Sequence, residues 1–129
     1  MPKKVILDSS FLIDAPRFHI SITEELSRCT IQRVEPIVLS VTLSELVSMM
    51  EGKSPKGSKE ASLALAVARD FPVIEVKRKP EEEVDDVIRR VAVEQQWFVA
   101  TNDRSLRRKL RDNNVTTIFV RQKSHLECR

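Results

Sequence analysis

Glycine is almost missing from this sequence. Only two of its 129 residues are Gly, at positions 52 and 57. A glycine-rich phosphate cradle needs several glycines in one turn. A P-loop and a dinucleotide-binding fingerprint are therefore excluded, and any phosphate chemistry falls to side chains. Histidine is equally scarce. His19 and His125 stand alone, which leaves little material for a zinc cluster or a His-based triad. The two cysteines, Cys29 and Cys128, have no metal-ligand spacing and no disulfide framework, so they read as thiols of a protein in a reducing cytoplasm. No apolar run approaches the roughly 18–20 residues that span a bilayer, and no membrane partner is expected. The basic start, Met-Pro-Lys-Lys, leads into an apolar run that breaks at Asp8, unlike a secretory signal. Tyr is absent, and Trp97 and five Phe offer no stacking platform for bases.

What remains is 41% hydrophobic and 32% charged, the balance of one soluble domain with a heavily charged surface. Splitting 129 residues would leave pieces too small to bury good cores. Residues 1–120 read as that domain and residues 121–129 as a polar tail. Apolar runs at residues 4–7, 36–40, 72–76, 97–101 and 116–120 read as five strands, the third shorter or nearer an edge. Between them lie helical patterns. Ser21 and Glu24 have the S-x-x-E capping-box form, and Thr42 and Glu45 repeat it as T-x-x-E, with Leu43, Leu46, Val47 and Met50 as the apolar stripe behind. Residues 51–59 read as a polar loop and residues 61–71 as an Ala- and Leu-rich helix. Residues 81–96 are strongly periodic, with Val84, Val87, Ile88, Val91 and Ala92 on one face. Residues 103–113 form a last helix on Leu106 and Leu110. Alternating strands and helices predict an α/β domain with a mainly parallel sheet and helices on both faces.

In such sheets the ligand crevice lies beyond the carboxyl ends of the strands. Asp8 ends the first strand, Glu45 lies in the helix after the second, Asp85 and Asp86 open the helix before the fourth, and Asp103 follows the fourth by two residues. Each acid also has a local reading. Glu45 fits a capping box, Asp85 and Asp86 complement a helix dipole, and Asp103 fits an N-cap. Asp8 resists this, because a lone carboxylate against a buried strand is costly. Converging carboxylates repel, and a hard divalent cation removes that repulsion. Oxygen ligands without His or Cys point to Mg²⁺ or Mn²⁺.

These four segments together resemble a PIN-domain nuclease. The matching residues are Asp8-Ser9-Ser10-Phe11-Leu12, Glu45 within Leu43-Ser44-Glu45-Leu46, Asp85-Asp86-Val87-Ile88 ahead of Ala92, and Thr101-Asn102-Asp103. The resemblance covers nearly the whole chain. It implies a three-layer α/β/α fold and metal-dependent endonucleolytic cleavage of single-stranded or structured RNA. Asp8, Asp85 and Asp103 are then the expected metal ligands, Glu45 the residue that orients a metal water or assists as base. Asp86, Ser10 and Thr101 are expected in support; many relatives carry Asn at position 10. The run from Thr101 to Leu110 and the doubled Asp85-Asp86 look more like PIN domains of ribosomal-RNA processing than like the toxin ribonucleases of toxin–antitoxin pairs. The alternatives are that toxin type, and a non-catalytic module binding RNA or ribosome-assembly partners.

The charge pattern adds a substrate surface. Lys and Arg exceed Asp and Glu by 22 to 19, a net charge of +3. Arg104, Arg107, Arg108 and Arg111 crowd the helix after Asp103, and Lys53 and Lys56 add a basic segment after the Glu45 helix. Both are expected to contact RNA phosphates. The Leu- and Ala-rich helix from Ala61 is a candidate homodimer surface, with core burial the simpler reading.

Overall fold

The computed structural model describes residues 2–52 and 54–129. The RNA contact expected of Lys53 lies outside the described residues. The chain runs β1 (Lys3–Leu7), α1 (Ser9–Arg17), α2 (Ile22–Cys29), β2 (Val34–Leu39), α3 (Ser40–Met50), α4 (Pro55–Ala68), β3 (Val73–Ile74), α5 (Val84–Gln95), β4 (Phe98–Ala100), α6 (Arg104–Asp112), β5 (Thr117–Arg121) and β6 (His125–Cys128). The six strands form one sheet in the order β3-β2-β1-β4-β5-β6. All neighbours pair parallel except β5 with β6.

Strand alternation divides the core into two layers. Val5, Leu7, Val38, Ala100 and Ile118 face α1, α2 and α4 together with Leu46 of α3. Ile6, Ile37, Leu39 and Val99 face the other way, onto Val87, Ile88, Val91 and Ala92 of α5 and Leu106 and Leu110 of α6. Helices thus cover both sheet faces, the three-layer α/β/α arrangement that the alternating pattern predicts. Each fully buried aliphatic side chain, such as Ile6 or Leu110, contributes about 1.5–3 kcal/mol relative to exposure. The paired face of β2 is central, yet Pro36 interrupts it. β3 pairs only with Val38 and Leu39, so Pro36 lies where the far side of β2 has no β-ladder partner and its missing N–H costs little.

Four expectations are corrected. First, residues 121–129 are no tail. Arg121 turns through Gln122, Lys123 and Ser124 into β6, whose register runs from Ile118 opposite Cys128 to Arg121 opposite His125. Second, the polar loop is shorter than residues 51–59: α4 begins at Pro55, because Ser54 caps it by accepting from Gly57 N at 3.2 Å and proline suits a first helical turn. Third, neither predicted capping box forms. Ser21 precedes α2 without a side-chain cap bond. β2 passes straight into α3 at Ser40, which places Thr42 and Glu45 inside the helix rather than at its cap. The stripe behind it is partial, since Leu46 is buried but Val47 and Met50 are exposed. Fourth, Cys29 of α2 and Cys128 of β6 form a disulfide, with Cα atoms 6.1 Å apart. Ninety-nine residues separate them in sequence, so no spacing rule sees the pair. The β5–β6 hairpin and its packing on α2 bring them together.

Candidate active site

β1 has parallel neighbours on both sides. The chain builds outward through β2 and β3, then returns to the other side with β4. The β1/β4 boundary is therefore the topological switch point, where such sheets open a crevice at the carboxyl ends of their strands. Asp8 and Thr101 are the first residues past those two strand ends. Asp8 N donates to Ala100 O at 2.9 Å and Thr101 N to Ile118 O at 2.9 Å, so both backbones are pinned to the sheet.

Asp8 is 3% exposed. Burial raises its carboxyl above the ordinary value, and the negative field of Glu45 adds to that. Hydrogen bonds from Thr101 and Ser10 oppose it. Thr101 Oγ1 donates to Asp8 Oδ2 at 2.6 Å and Ser10 Oγ to the same oxygen at 2.9 Å. The two hydroxyls lie 3.2 Å apart. Ser10 Oγ also accepts from Asn102 N at 3.1 Å, and Thr101 Oγ1 accepts from Asp103 N at 3.1 Å. One small network thereby fixes the acid at the end of β1 and the turn that carries Asp103. Asp103 caps α6, its Oδ1 accepting from Leu106 N at 3.1 Å, so the local reading of this residue is correct as well.

Asp85 enters from the first turn of α5. Burial, then the fields of Asp8 and Asp103, push its carboxyl up to about 6, with a smaller push from Asp86 and an opposing pull from Lys109. Carboxylates from β1, α5 and the β4–α6 turn therefore feel one another across the crevice. Glu45 joins from α3. Its Oε1 is buried and has no hydrogen-bond partner, and it lines a cleft of about 600 Å³ with Ser40, Ser44, Val84 and Arg78. An unpartnered buried carboxylate oxygen among other acids is the environment a hard cation satisfies, so the donor set fits Mg²⁺ or Mn²⁺. Among the described residues, no three His, Cys, Asp or Glu side chains close into a ready cage.

Asp86 is not brought into this group. It completes a capping box, its Oδ2 accepting from Glu83 N at 2.9 Å while Glu83 answers the α5 backbone, and its other oxygen lies 3.9 Å from Arg89. Of the expected RNA contacts, Arg104, Arg108 and Arg111 are exposed on α6, and Lys56 is exposed in the first turn of α4. Arg107 is half-buried, its guanidinium 4.0 Å from the centre of the Phe119 ring.

Asn102 is the residue that sequence reasoning passed over. Its Nδ2 donates to Asp14 Oδ2 at 2.9 Å and its Oδ1 accepts from Val120 N at 2.8 Å. It ties α1 and β5 to the turn between Thr101 and Asp103. A turn Asn between a strand and a helix was the available signal, but its partners lie 88 and 18 residues away in sequence.

Comparison with known proteins agrees with this fold. Residues 5–123 match the PIN-like domain family. The chain is 28% identical over 126 residues to Ribonuclease VapC4 of Methanocaldococcus jannaschii, covering 96% of this chain and 95% of that protein. A solved structure of the PIN domain endonuclease Utp24 superposes with a TM-score of 0.82 at 23% identity, over 99% of this chain and 92% of that one. A domain of a functionally unknown protein from M. jannaschii superposes with a TM-score of 0.66 at 21% identity, over 92% of this chain and 91% of that one.

Proposed function

Because the chain belongs to the PIN-like domain family, we propose that it is a metal-dependent endoribonuclease hydrolysing RNA phosphodiester bonds. One observation carries the reading. Asp8, Glu45, Asp85 and Asp103 come from four separate segments, and beyond burial the carboxyl of Asp8 is raised by the field of Glu45 and that of Asp85 by the fields of Asp8 and Asp103. That arrangement has a stability cost without a cation, and structural ion pairing does not explain it, since none of the four takes part in an ion pair among the described residues.

Asp8, Asp85 and Asp103 are the proposed ligands of Mg²⁺ or Mn²⁺. A bound ion would neutralise charge on the phosphate and acidify a water. The chain's own residues do the positioning. Thr101 and Ser10 both hold Asp8 by its Oδ2, and the Ser9 backbone adds a hydrogen bond to the same carboxyl. The cap bond to Leu106 uses one Asp103 oxygen and leaves the second. Glu45 Oε1 is the unpartnered acceptor that would orient the attacking water or receive its proton. Asp86 acts only through its cap and its field. Basic residues of α6 and Lys56 would attract the RNA backbone.

The named relatives divide between a VapC-type ribonuclease and Utp24, so the preference for a ribosomal-RNA-processing type is not carried forward. The proposal concerns the reaction, in an RNA-acting protein whose described residues contain no helix long and apolar enough to cross a membrane.

The test is cleavage of labelled single-stranded and hairpin RNAs in Mn²⁺ or Mg²⁺ by the wild type and by Asp8→Asn. Cleavage that needs the ion and drops by about 100-fold or more in the variant supports the reading. Absence of cleavage of every RNA by the wild type, in either ion, returns the protein to the non-catalytic binding class.

A further inference from the structure

A dense group of arginines begins one residue after Asp103. Arg104, Arg107 and Arg111 follow one another along α6 at i, i+3 and i+7, and Arg121 of β5 and Arg129 after β6 join them. These five arginines and Phe119 line a cleft of about 420 Å³. Three guanidiniums lie within 6 Å of the Phe119 ring centre: Arg107 at 4.0 Å, Arg111 at 5.8 Å and Arg129 at 5.9 Å. The π-face offsets part of their repulsion. It does not remove it, for Arg107 is held below its ordinary pKa by burial and then by the fields of Arg111, Arg104 and Arg129.

The local acids do not balance this group. Glu127 pairs with Arg121 at 3.0 Å and with Arg129 at 3.5 Å. Arg104, Arg107 and Arg111 enter no ion pair among the described residues. Arg107 Nε is buried and lacks a hydrogen-bond partner. An unpaired buried N–H donor on a cation, inside a cleft of like charges, calls for an anion with several acceptor oxygens. Guanidinium forks match phosphate in this way. The site is built from three elements, and its edge is held. Arg129 N donates to Thr117 O at 2.8 Å and Thr117 N returns a bond to Arg129 O at 2.8 Å, next to the disulfide that fastens Cys128 to α2.

Its position gives the ligand. Asp103 caps α6, so Arg104 stands one residue from the carboxylate group. Arg111 lies seven residues on, about 10 Å along the helix axis. An extended polyanion whose cut phosphate sits at the carboxylates would pass along this row.

We propose that the Arg104–Arg107–Arg111–Arg121 cleft binds backbone phosphates of the RNA strand flanking the one that is cut. The inference rests on the nuclease reading above. It separates the arginines of α6 into a phosphate row and Arg108, which lies outside the cleft.

The test uses the full chain in EDTA, so that nothing is cut, and a labelled single-stranded RNA read by anisotropy across a salt series. Arg111→Gln/Arg121→Gln removes two exposed cleft charges with little risk to folding. Arg33→Gln/Arg69→Gln removes the same charge from exposed positions elsewhere. The cleft variant should bind roughly tenfold more weakly at low salt, with a salt slope shallower by about 1.4, near 0.7 per phosphate contact; the remote variant should stay near wild type. Arg107→Lys keeps the charge but loses the fork, and should weaken binding while leaving the slope unchanged. Equal affinity and slope in the cleft and remote variants overturns the proposal. So does a cleft variant that loses inorganic phosphate binding alone, which would make this a site for free anion. Parallel cleavage by the wild type in Mn²⁺ keeps the two readings apart: its failure sinks the nuclease, and the binding series still decides the cleft.

Discussion

Thr101 and Asp8 lie 93 residues apart in sequence, and the hydroxyl of one donates to the carboxylate of the other at 2.6 Å. Both residues are buried, and this bond lies at the seam between β1 and β4. It fixes the orientation of the Asp8 carboxylate. Thr101→Val removes the donor and keeps the shape. Cleavage should fall by about 10–100-fold, the usual scale for residues that orient a metal ligand, and half-saturation by Mn²⁺ should move upward. Thr101→Ser should restore most of both. Unchanged metal dependence in Thr101→Val would show that Ser10 alone holds Asp8.

The carboxylate group makes a pH prediction. In the folded, metal-free chain Asp85 titrates at about 6, against 3.8 for the ordinary carboxyl. Between those values the folded state keeps a proton that the unfolded state has lost. Stability is therefore fully present below about 4 and is lost as pH rises through about 6. Asp8 shifts in the same direction. Glu82, held at about 2 by Arg90, is ionised in both states above pH 5.5 and does not confuse the window. In EDTA, the melting temperature should fall from pH 5.5 to 7.5, and Mn²⁺ should restore it at pH 7.5. Asp85→Asn should flatten the EDTA profile. A melting temperature that rises with pH in EDTA would contradict the raised carboxyl.

The disulfide predicts a redox-dependent stability. Cys29–Cys128 closes residues 29–128 into one loop. Loop-closure entropy puts that restraint at about 4–5 kcal/mol for a loop of about 100 residues. Urea unfolding with and without a reductant should show a lower midpoint in the reduced protein. Cys29→Ala/Cys128→Ala should match the reduced wild type and ignore the reductant. Identical midpoints would mean that β6 is held by its backbone ladder alone.

The β5–β6 turn stores backbone strain. Gln122 and Lys123 have φ of 53° and 58°, the left-handed region, at the first two positions of the three-residue loop Gln122–Lys123–Ser124. Neither glycine of the chain is used at such an angle. Lys123→Gly should raise stability by about 1 kcal/mol, because glycine adopts this conformation without the Cβ clash. Chemical denaturation reads the change; a decrease would show that the Lys123 side chain supports the turn.

That turn also explains what the sequence hid. A short hairpin loop is recognised by Gly or Asn at its left-handed positions, and Gln122-Lys123-Ser124 carries no such signal, so residues 121–129 read as a tail. The error concealed Arg121 and Arg129 as cleft residues and Cys128 as a disulfide partner. Thr42 and Glu45 misled in a similar way. Their T-x-x-E spacing is a sound capping signal, but β2 runs into α3 without a loop and the N-cap is Leu39, three residues before Thr42. Release from the cap leaves Glu45 available to the crevice.

The sequence alone determined the elements that rest on local periodicity. The apolar run of β1, the i, i+3, i+4 stripe of α5 and the Leu106–Leu110 face of α6 each bury in one way only, and their order requires a parallel sheet with helices on both sides. It also determined that phosphate chemistry here needs side chains, since two glycines build no backbone cradle. The tertiary structure decided which acids act together. Asp85 and Asp86 are adjacent and chemically alike, but α5 turns one toward Asp8 and Asp103 and gives the other to its own cap. Helical geometry separates neighbouring side chains by about 100°, and only packing against the sheet determines which of them faces the crevice.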